Sequence, residues 1–284
     1  MTPTPDGTPD VAKPSRAARV EGFWDARAAQ YDGHYDAVGS DGYALRARLA
    51  LTLRLIGVGR GAVLDVGMGP GRLCEALAGE GWIVSGVDMS EEMVTRARDR
   101  LPDARERLLR ASVEQLPFPD HSFDVVAATG VLEYTHLPHA LEEVSRVVRP
   151  GGVAVVSYPN PAALYALWKT RIWYRVVPFV KRLLRRSHMQ APKGGASLSP
   201  DSFLRALETA DLRVESIHYT NYLLLPSPLE EMFPRVTERL GAKLEGSGER
   251  IGRLLATQVL FVSTKPRAGE APVNDADRSD GRRG

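Results

Sequence analysis

With 284 residues and a formal net charge of +2, the chain has no global charge that would favour nucleic acid, and its 43% apolar and 25% charged residues suit an ordinary globular protein. The single cysteine, Cys74, excludes an intrachain disulfide framework and a cysteine-rich zinc site, and it fits a reducing cytoplasm. No run approaches the roughly 18 consecutive apolar residues that a membrane span needs. The opening MTPTPDGTPDVAKPSRAARV has no apolar core of the kind a signal peptide carries, and residues 1–18 are expected to form a disordered leader.

From Ala62 onward, short apolar runs alternate with helix-like stretches. AVLDV (62–66) is a buried-strand pattern, and GRLCEALAGEG (71–81) carries Leu73, Ala76 and Leu77 at helical spacing before ending on glycine. WIVSGVD (82–88) is the second strand. SEEMVTRARDRL (90–101) is a helix capped by Ser90, with Glu91 and Glu92 in its first turn. ERLLRAS (106–112) and FDVVAATG (123–130) predict the third and fourth strands. LPHALEEVSRVVRPGG (137–152) predicts a helix stopped by Pro150 and two glycines, and VAVVSYP (153–159) the fifth strand. A capped helix SPDSFLRALETA (199–210) and two strands, RVESIHYTNY (213–222) and ATQVLFVSTK (256–265), follow the long segment 161–195. The pattern implies an α/β fold: a doubly wound, Rossmann-like, mostly parallel seven-stranded sheet whose last strands pair antiparallel at one edge. One domain over residues 19–265 is expected, with 161–195 inserted as a helical cap and 266–284 as a disordered tail.

VLDVGMGPGR (63–72) places Gly67, Gly69 and Gly71 where an open α/β sheet binds its ligands, beyond the carboxyl end of a strand. Asp88 ends the next strand, where a carboxylate can accept hydrogen bonds from both hydroxyls of an adenosine ribose. Dinucleotide folds favour G-x-G-x-x-G, with a pyrophosphate over the helix N-terminus. Here the spacing is G-x-G-x-G, and Asp65 stands just before the loop, where it would repel a pyrophosphate. An acid there suits a zwitterion with an amino group and a sulfonium, as in S-adenosylmethionine.

These stretches resemble the class I S-adenosylmethionine-dependent methyltransferases, in particular the small-molecule group that includes ubiquinone-pathway enzymes. VLDVGMGPGR is similar to the family's first motif and GVDMSEEMV (86–94) to its second. LPFPDHSFDVVAATGVLEY (116–134) and RVVRPGG (146–152) resemble the stretches around its fourth strand and before its fifth, and WDARAAQYD (24–32) its N-terminal helix entry. The resemblance implies that the Gly67 and Gly69 backbone holds the methionyl part, Asp88 the ribose, and that Met89 packs on adenine. It places Thr129 and Gly130 near the cofactor's amino end and closes Tyr31 over it. Where the family often has Asp-Ala before LPF, this chain has Ser112-Val113, so a neutral hydroxyl and a backbone N–H face the adenine amino group in place of a carboxylate.

Methyl transfer needs alignment above all, and a base where a hydroxyl must lose a proton. Glu133, Tyr134, His136 and His139, in GVLEYTHLPHAL, and His34, in YDGHYD, offer candidates. His136, in the loop leaving the fourth strand, is the preferred base, with Glu133 beside it, and oxygen is the expected acceptor atom of a small apolar or aromatic metabolite. A metal pattern of Glu-x-x-Glu-His type is not matched, because Gly130, Glu133 and Tyr134 occupy its places. A non-catalytic cofactor-binding scaffold stays open beside these enzymatic readings. Segment 161–195 carries Lys169, Arg171, Arg175, Lys181, Arg182, Arg185, Arg186 and Lys193 with no acid, plus Trp168 and Trp173. As a helix from Pro178, it divides Phe179, Val180, Leu183 and Leu184 from a basic face. Three roles fit: a solvated cap, a cover over the substrate pocket, or a peripheral contact with an anionic membrane for reaching a quinone or lipid.

Overall fold

Val63, Leu64 and Val66 are wholly buried, so the first apolar run lies at the centre of the molecule as strand β1 (Ala62–Val66). The computed structural model describes residues 15–173, 175, 198–227 and 229–267. Around β1 stand β2 (Ile83–Asp88), β3 (Leu108–Arg110), β4 (Phe123–Ala128), β5 (Val148–Pro159), β6 (Arg213–Tyr222) and β7 (Ala256–Thr264), in the sheet order β3-β2-β1-β4-β5-β7-β6. The first five run parallel, whereas β7 is antiparallel to both β5 and β6. The seven-stranded, mostly parallel sheet is thus as expected, with the reversed strand one place in from the edge. The burial pattern explains this placing. Val259, Leu260 and Phe261 of β7 are buried on both faces, while Arg213–His218 of β6 remain partly open, as an edge strand permits.

Helices cover both faces. On one, Leu49, Leu53 and Ile56 of α3 (Ser40–Ile56) pack with α4 (Arg72–Gly79) and α5 (Glu91–Arg100) onto Val63, Val84 and Val125. On the other, α6 (Leu137–Val147) and the helix Pro200–Thr209 cover Leu64, Val126 and Val156. Two short helices, α1 (Arg16–Asp25) and α2 (Ala28–His34), precede α3.

Four local features depart from the sequence pattern. Helix α1 begins at Arg16, inside the stretch expected to be a leader, because Ser15 Oγ accepts from Ala18 N at 3.2 Å and Val20 is buried. Helix α6 stops at Val147, short of the stop expected at Pro150, because the chain from Val148 is already extended and Pro150 disfavours helix at the residue before it. Val148 pairs with Phe123, so β5 starts there. Strand β3 shrinks to Leu108–Arg110 because Pro102–Arg107 winds as a 3-10 turn. After β5 the chain forms the short helix α7 (Leu164–Trp168), with Tyr165 buried; the amphipathic helix expected from Pro178 falls outside the described residues. Among the described residues, no helix is long and apolar enough to cross a membrane.

Candidate active site

The carboxyl ends of β1, β2 and β4 meet at the glycine loop. Gly67 N and Met68 N both donate to Val87 O, at 2.8 and 2.9 Å, which ties the loop to the end of β2. Gly67 has φ +72°, and a Cβ there would lie 2.6 Å from Val131 Cβ, so both conformation and space demand glycine. Gly71, at φ +79°, turns the chain into α4 with Ala97 Cβ only 2.9 Å from where its own Cβ would be.

Asp88 is part of this frame. Its Oδ2 accepts from Gly69 N and its Oδ1 from Ser90 N, each at 2.9 Å. Each carboxylate oxygen keeps capacity for a further donor. Ser90 caps α5 by accepting from Met93 N at 3.2 Å and donates to Asp25 Oδ1 at 2.5 Å, which fastens the end of α1 to the second motif. Beneath the loop, Asp65 is 3% exposed and accepts from Cys74 Sγ at 3.5 Å. Burial pushes the Asp65 carboxyl up to about 7, the thiol's hydrogen bond opposing it and Asp88 reinforcing it. Burial likewise raises Asp88 to about 6 against the two backbone amides. The two acids make this end of the sheet an environment that favours a positively charged ligand.

A cavity of about 220 Å³ opens over the loop. Nine of the residues singled out in the sequence line it: Tyr31, Gly67, Gly69, Asp88, Met89, Ser112, Val113, Gly130 and Tyr134. Asp65 and Gly71 support the loop from behind, and Thr129 leads into Gly130, whose N donates to Ser157 Oγ at 2.8 Å. Glu133, on the turn Leu132–Tyr134, acts electrostatically on Arg48 and Tyr134. His136 is exposed at the N-terminus of α6; its N donates to Glu114 Oε1 at 2.7 Å and its ring lies 4.2 Å from that of His139. The cavity is lined by its neighbours Tyr134 and Thr135 rather than by the imidazole.

Sequence reasoning missed two components. Arg16, Ala17, Val20 and Trp24 of α1 form one side of the cavity, and Trp24 stands edge-to-face against both Tyr31 (5.3 Å) and Tyr134 (5.5 Å). An Ala- and Arg-rich first turn beside a Pro-rich stretch carries no binding signature. The other is Arg48 of α3, whose Nη2 donates to Tyr31 Oη at 3.3 Å and Nη1 to Gln258 Oε1 at 3.4 Å. Burial works against its charge, but Tyr31, Tyr35 and Glu133 outweigh it and hold the guanidinium more firmly charged than usual. A Cβ on Gly130 would fall 2.6 Å from Arg48 Nη1, so that glycine makes room for the arginine. Nothing in a single sequence distinguishes such an arginine from the solvated ones around it.

The assembly offers a carboxylate for a ribose diol, backbone against a close-lying chain, apolar Met89, Met93 and Val113 for a heterocycle, and acids for a cationic end. Residues 64–156 match a family described as a methyltransferase domain. The ubiquinone/menaquinone biosynthesis C-methyltransferase of Chromobacterium violaceum is 34% identical over 183 residues, 61% of this chain and 69% of that protein. The same-named protein of Azotobacter vinelandii is 34% identical over 166 residues, 55% of this chain and 65% of the relative, so that match spans just under two thirds of its length. Among solved structures, the geranyl diphosphate C-methyltransferase of Streptomyces coelicolor, in complex with Mg2+, geranyl diphosphate and S-adenosyl-L-homocysteine, shares the fold. Its TM-score is 0.56 at 17% identity, over 89% of this chain and 99% of that one.

Proposed function

The chain belongs to the class I S-adenosylmethionine-dependent methyltransferases, and we propose that it methylates a small aromatic hydroxy compound at carbon. S-adenosylmethionine supplies a methyl group already activated on a sulfonium sulfur, which keeps the electron pair when the bond to methyl breaks. The observation that supports this function is the glycine cradle, hooked to Asp88 and backed by buried Asp65. In this proposal the Gly67 and Gly69 backbone lies along the methionyl part and Asp88 holds the ribose. Met89 and Val113 enclose adenine, Ser112 faces its amino group, and Gly130 with Thr129 borders the amino end. Tyr31, held by Arg48, covers the sulfonium end.

The sequence alone favoured oxygen as acceptor because a base was expected at His136. That ring does not line the cavity, and the names of the curated relatives support carbon. A hydroxyl on the acceptor makes the neighbouring ring carbons electron-rich once its proton is withdrawn; the carbon that takes the methyl then gives up its own hydrogen as a proton, which restores the aromatic ring and the hydroxyl, so a proton acceptor still serves the reaction. The relatives' names also favour a quinone precursor in its reduced, dihydroxy form as acceptor, for which the basic run Lys181–Arg186 would supply contact with an anionic membrane.

Calorimetry should show S-adenosylhomocysteine binding that Asp88→Ala weakens by about tenfold or more, the loss of hydrogen bonds to a charged group. Equal affinity would remove Asp88 from the ribose. Incubating the protein with isotope-labelled S-adenosylmethionine and a cell extract should yield a labelled aromatic product with the methyl on a ring carbon. An O-methyl product would restore oxygen as acceptor, and a labelled nucleic acid would overturn the small-molecule assignment. Pelleting with anionic vesicles tests membrane contact: binding unaffected by Arg182→Ser and Arg185→Ser together would refute it.

A further inference from the structure

Trp24 and Tyr31 line not only the cofactor cavity but also a second recess of about 300 Å³ between α1, α2 and the start of α3. The two spaces therefore share one aromatic wall. That wall stands over the glycine loop: a Cβ on Gly69 would come within 3.7 Å of Tyr31 Cε1. We propose that this second recess is the acceptor site, and that it holds a flat aromatic ring whose hydroxyl donates a hydrogen bond to His34. The assignment rests on the methyl-transfer function proposed above and adds to it the place and the chemistry of the acceptor.

The lining argues for a flat ring. Trp24 meets Phe23 edge-on at 5.1 Å and Tyr31 edge-on at 5.3 Å, so the three rings present differently inclined faces and edges to an inserted aromatic. Ala44 and Leu45 close the apolar side. The size is at the lower end of ligand pockets, which suits one or two fused rings.

The polar groups argue for a hydroxyl rather than an amine. A neutral imidazole has one nitrogen that accepts, and His34 lines the recess, half-buried, from α2. A cationic amine would use an open aromatic face, as quaternary and protonated amines do. Here the Phe23 face is taken: the Arg27 guanidinium sits 4.1 Å above its ring centroid and adds its own positive charge to the lining. Asp41, the acid that could balance a bound cation, is exposed at the rim.

The test uses 1-naphthol as probe, naphthalene as its hydroxyl-free counterpart and benzylamine as the amine, by saturation-transfer NMR on the full chain with S-adenosylhomocysteine present. The wild type should bind 1-naphthol, and Ala44→Trp, which fills the recess, should weaken it at least tenfold while S-adenosylhomocysteine affinity by calorimetry stays unchanged. His34→Phe should weaken 1-naphthol several-fold and leave naphthalene unaltered, a split that simple loss of packing would not give. This second variant decides the matter if Ala44→Trp fails to fold. The acceptor site is overturned if Ala44→Trp binds both ligands like the wild type, if S-adenosylhomocysteine displaces 1-naphthol, or if benzylamine binds where 1-naphthol does not. Failure of the wild type to bind S-adenosylhomocysteine at all would instead overturn methyl transfer, and the two failures are read in separate experiments.

Discussion

Replacing Asp65 by Asn should change how the stability of the ligand-free protein depends on pH. Asp65 is buried under the glycine loop, and its carboxyl rises from an ordinary 3.8 to about 7. Between those values the folded chain holds a proton that the unfolded chain has released, so the folded state binds more protons and stability falls as pH rises. The contribution is fully present below about 3.8 and is lost as pH climbs through about 7. At 1.36 kcal/mol per unit, the full shift is worth about 4 kcal/mol, of which roughly 2–3 kcal/mol is lost between about pH 5 and pH 8. Asn cannot ionise and keeps a carbonyl oxygen for the Cys74 thiol, so Asp65→Asn should lack that component. Other groups titrate in both proteins, and the difference between the two pH profiles reports Asp65 together with its coupling to Asp88. Urea unfolding of both proteins at about five pH values supplies the profiles, with the midpoint and slope fitted together. A bound cation should reverse the sign of the Asp65 effect, since it rewards the ionised carboxylate, so S-adenosylmethionine should restore wild-type stability at pH 8 more than at pH 5. Parallel profiles in the absence of ligand would refute the raised carboxyl.

Two further substitutions probe the frame and the adenine end. Gly67→Ala forces a left-handed residue to carry a Cβ and drives it against Val131, so unfolding should show a loss of about 1–3 kcal/mol, together with weaker S-adenosylhomocysteine binding; a stability within about 0.5 kcal/mol of wild type would mean that the loop relaxes freely. Ser112→Asp places an ionised acceptor where the cavity now has a hydroxyl, and calorimetry should find S-adenosylhomocysteine bound several-fold more tightly at pH 7, since charge-assisted hydrogen bonds are the stronger kind; unchanged or weaker binding would put the adenine amino group elsewhere.

What could be read from the sequence, and what could not, follows from how far apart the interacting residues are. Strands β1, β2, β4 and β5 announce themselves because a parallel sheet buried on both faces needs near-continuous apolar runs, and Val63–Val66, interrupted only by Asp65, and Val153–Val156 provide them. The glycine loop and Asp88 are legible for a similar reason: one tight turn and one strand end impose local demands that few other residues satisfy. The position of β7 between β5 and β6 is less so, since either order satisfies two apolar strands. Only the deeper burial of Val259–Phe261 settles it. The rest of the site is assembled by tertiary contact. Arg48 reaches Tyr31 and Gln258 across separations of 17 and 210 residues, and its fit beside Gly130 depends on where α3 crosses the sheet. Asp25 reaches Ser90 over 65 residues, which is what brings α1 to the cavity. His136 shows the converse. Its place after the fourth strand recommended it, but Pro138 in the first turn of α6 and the backbone bond to Glu114 fix the helix start with the imidazole outward, against His139. A residue's distance from the end of a strand therefore places its backbone near the chemistry, while the direction of its side chain is decided by the first turn of the next helix. That is why the backbone-defined half of this site is written in its motifs and the half made by side chains from α1, α2 and α3 is not.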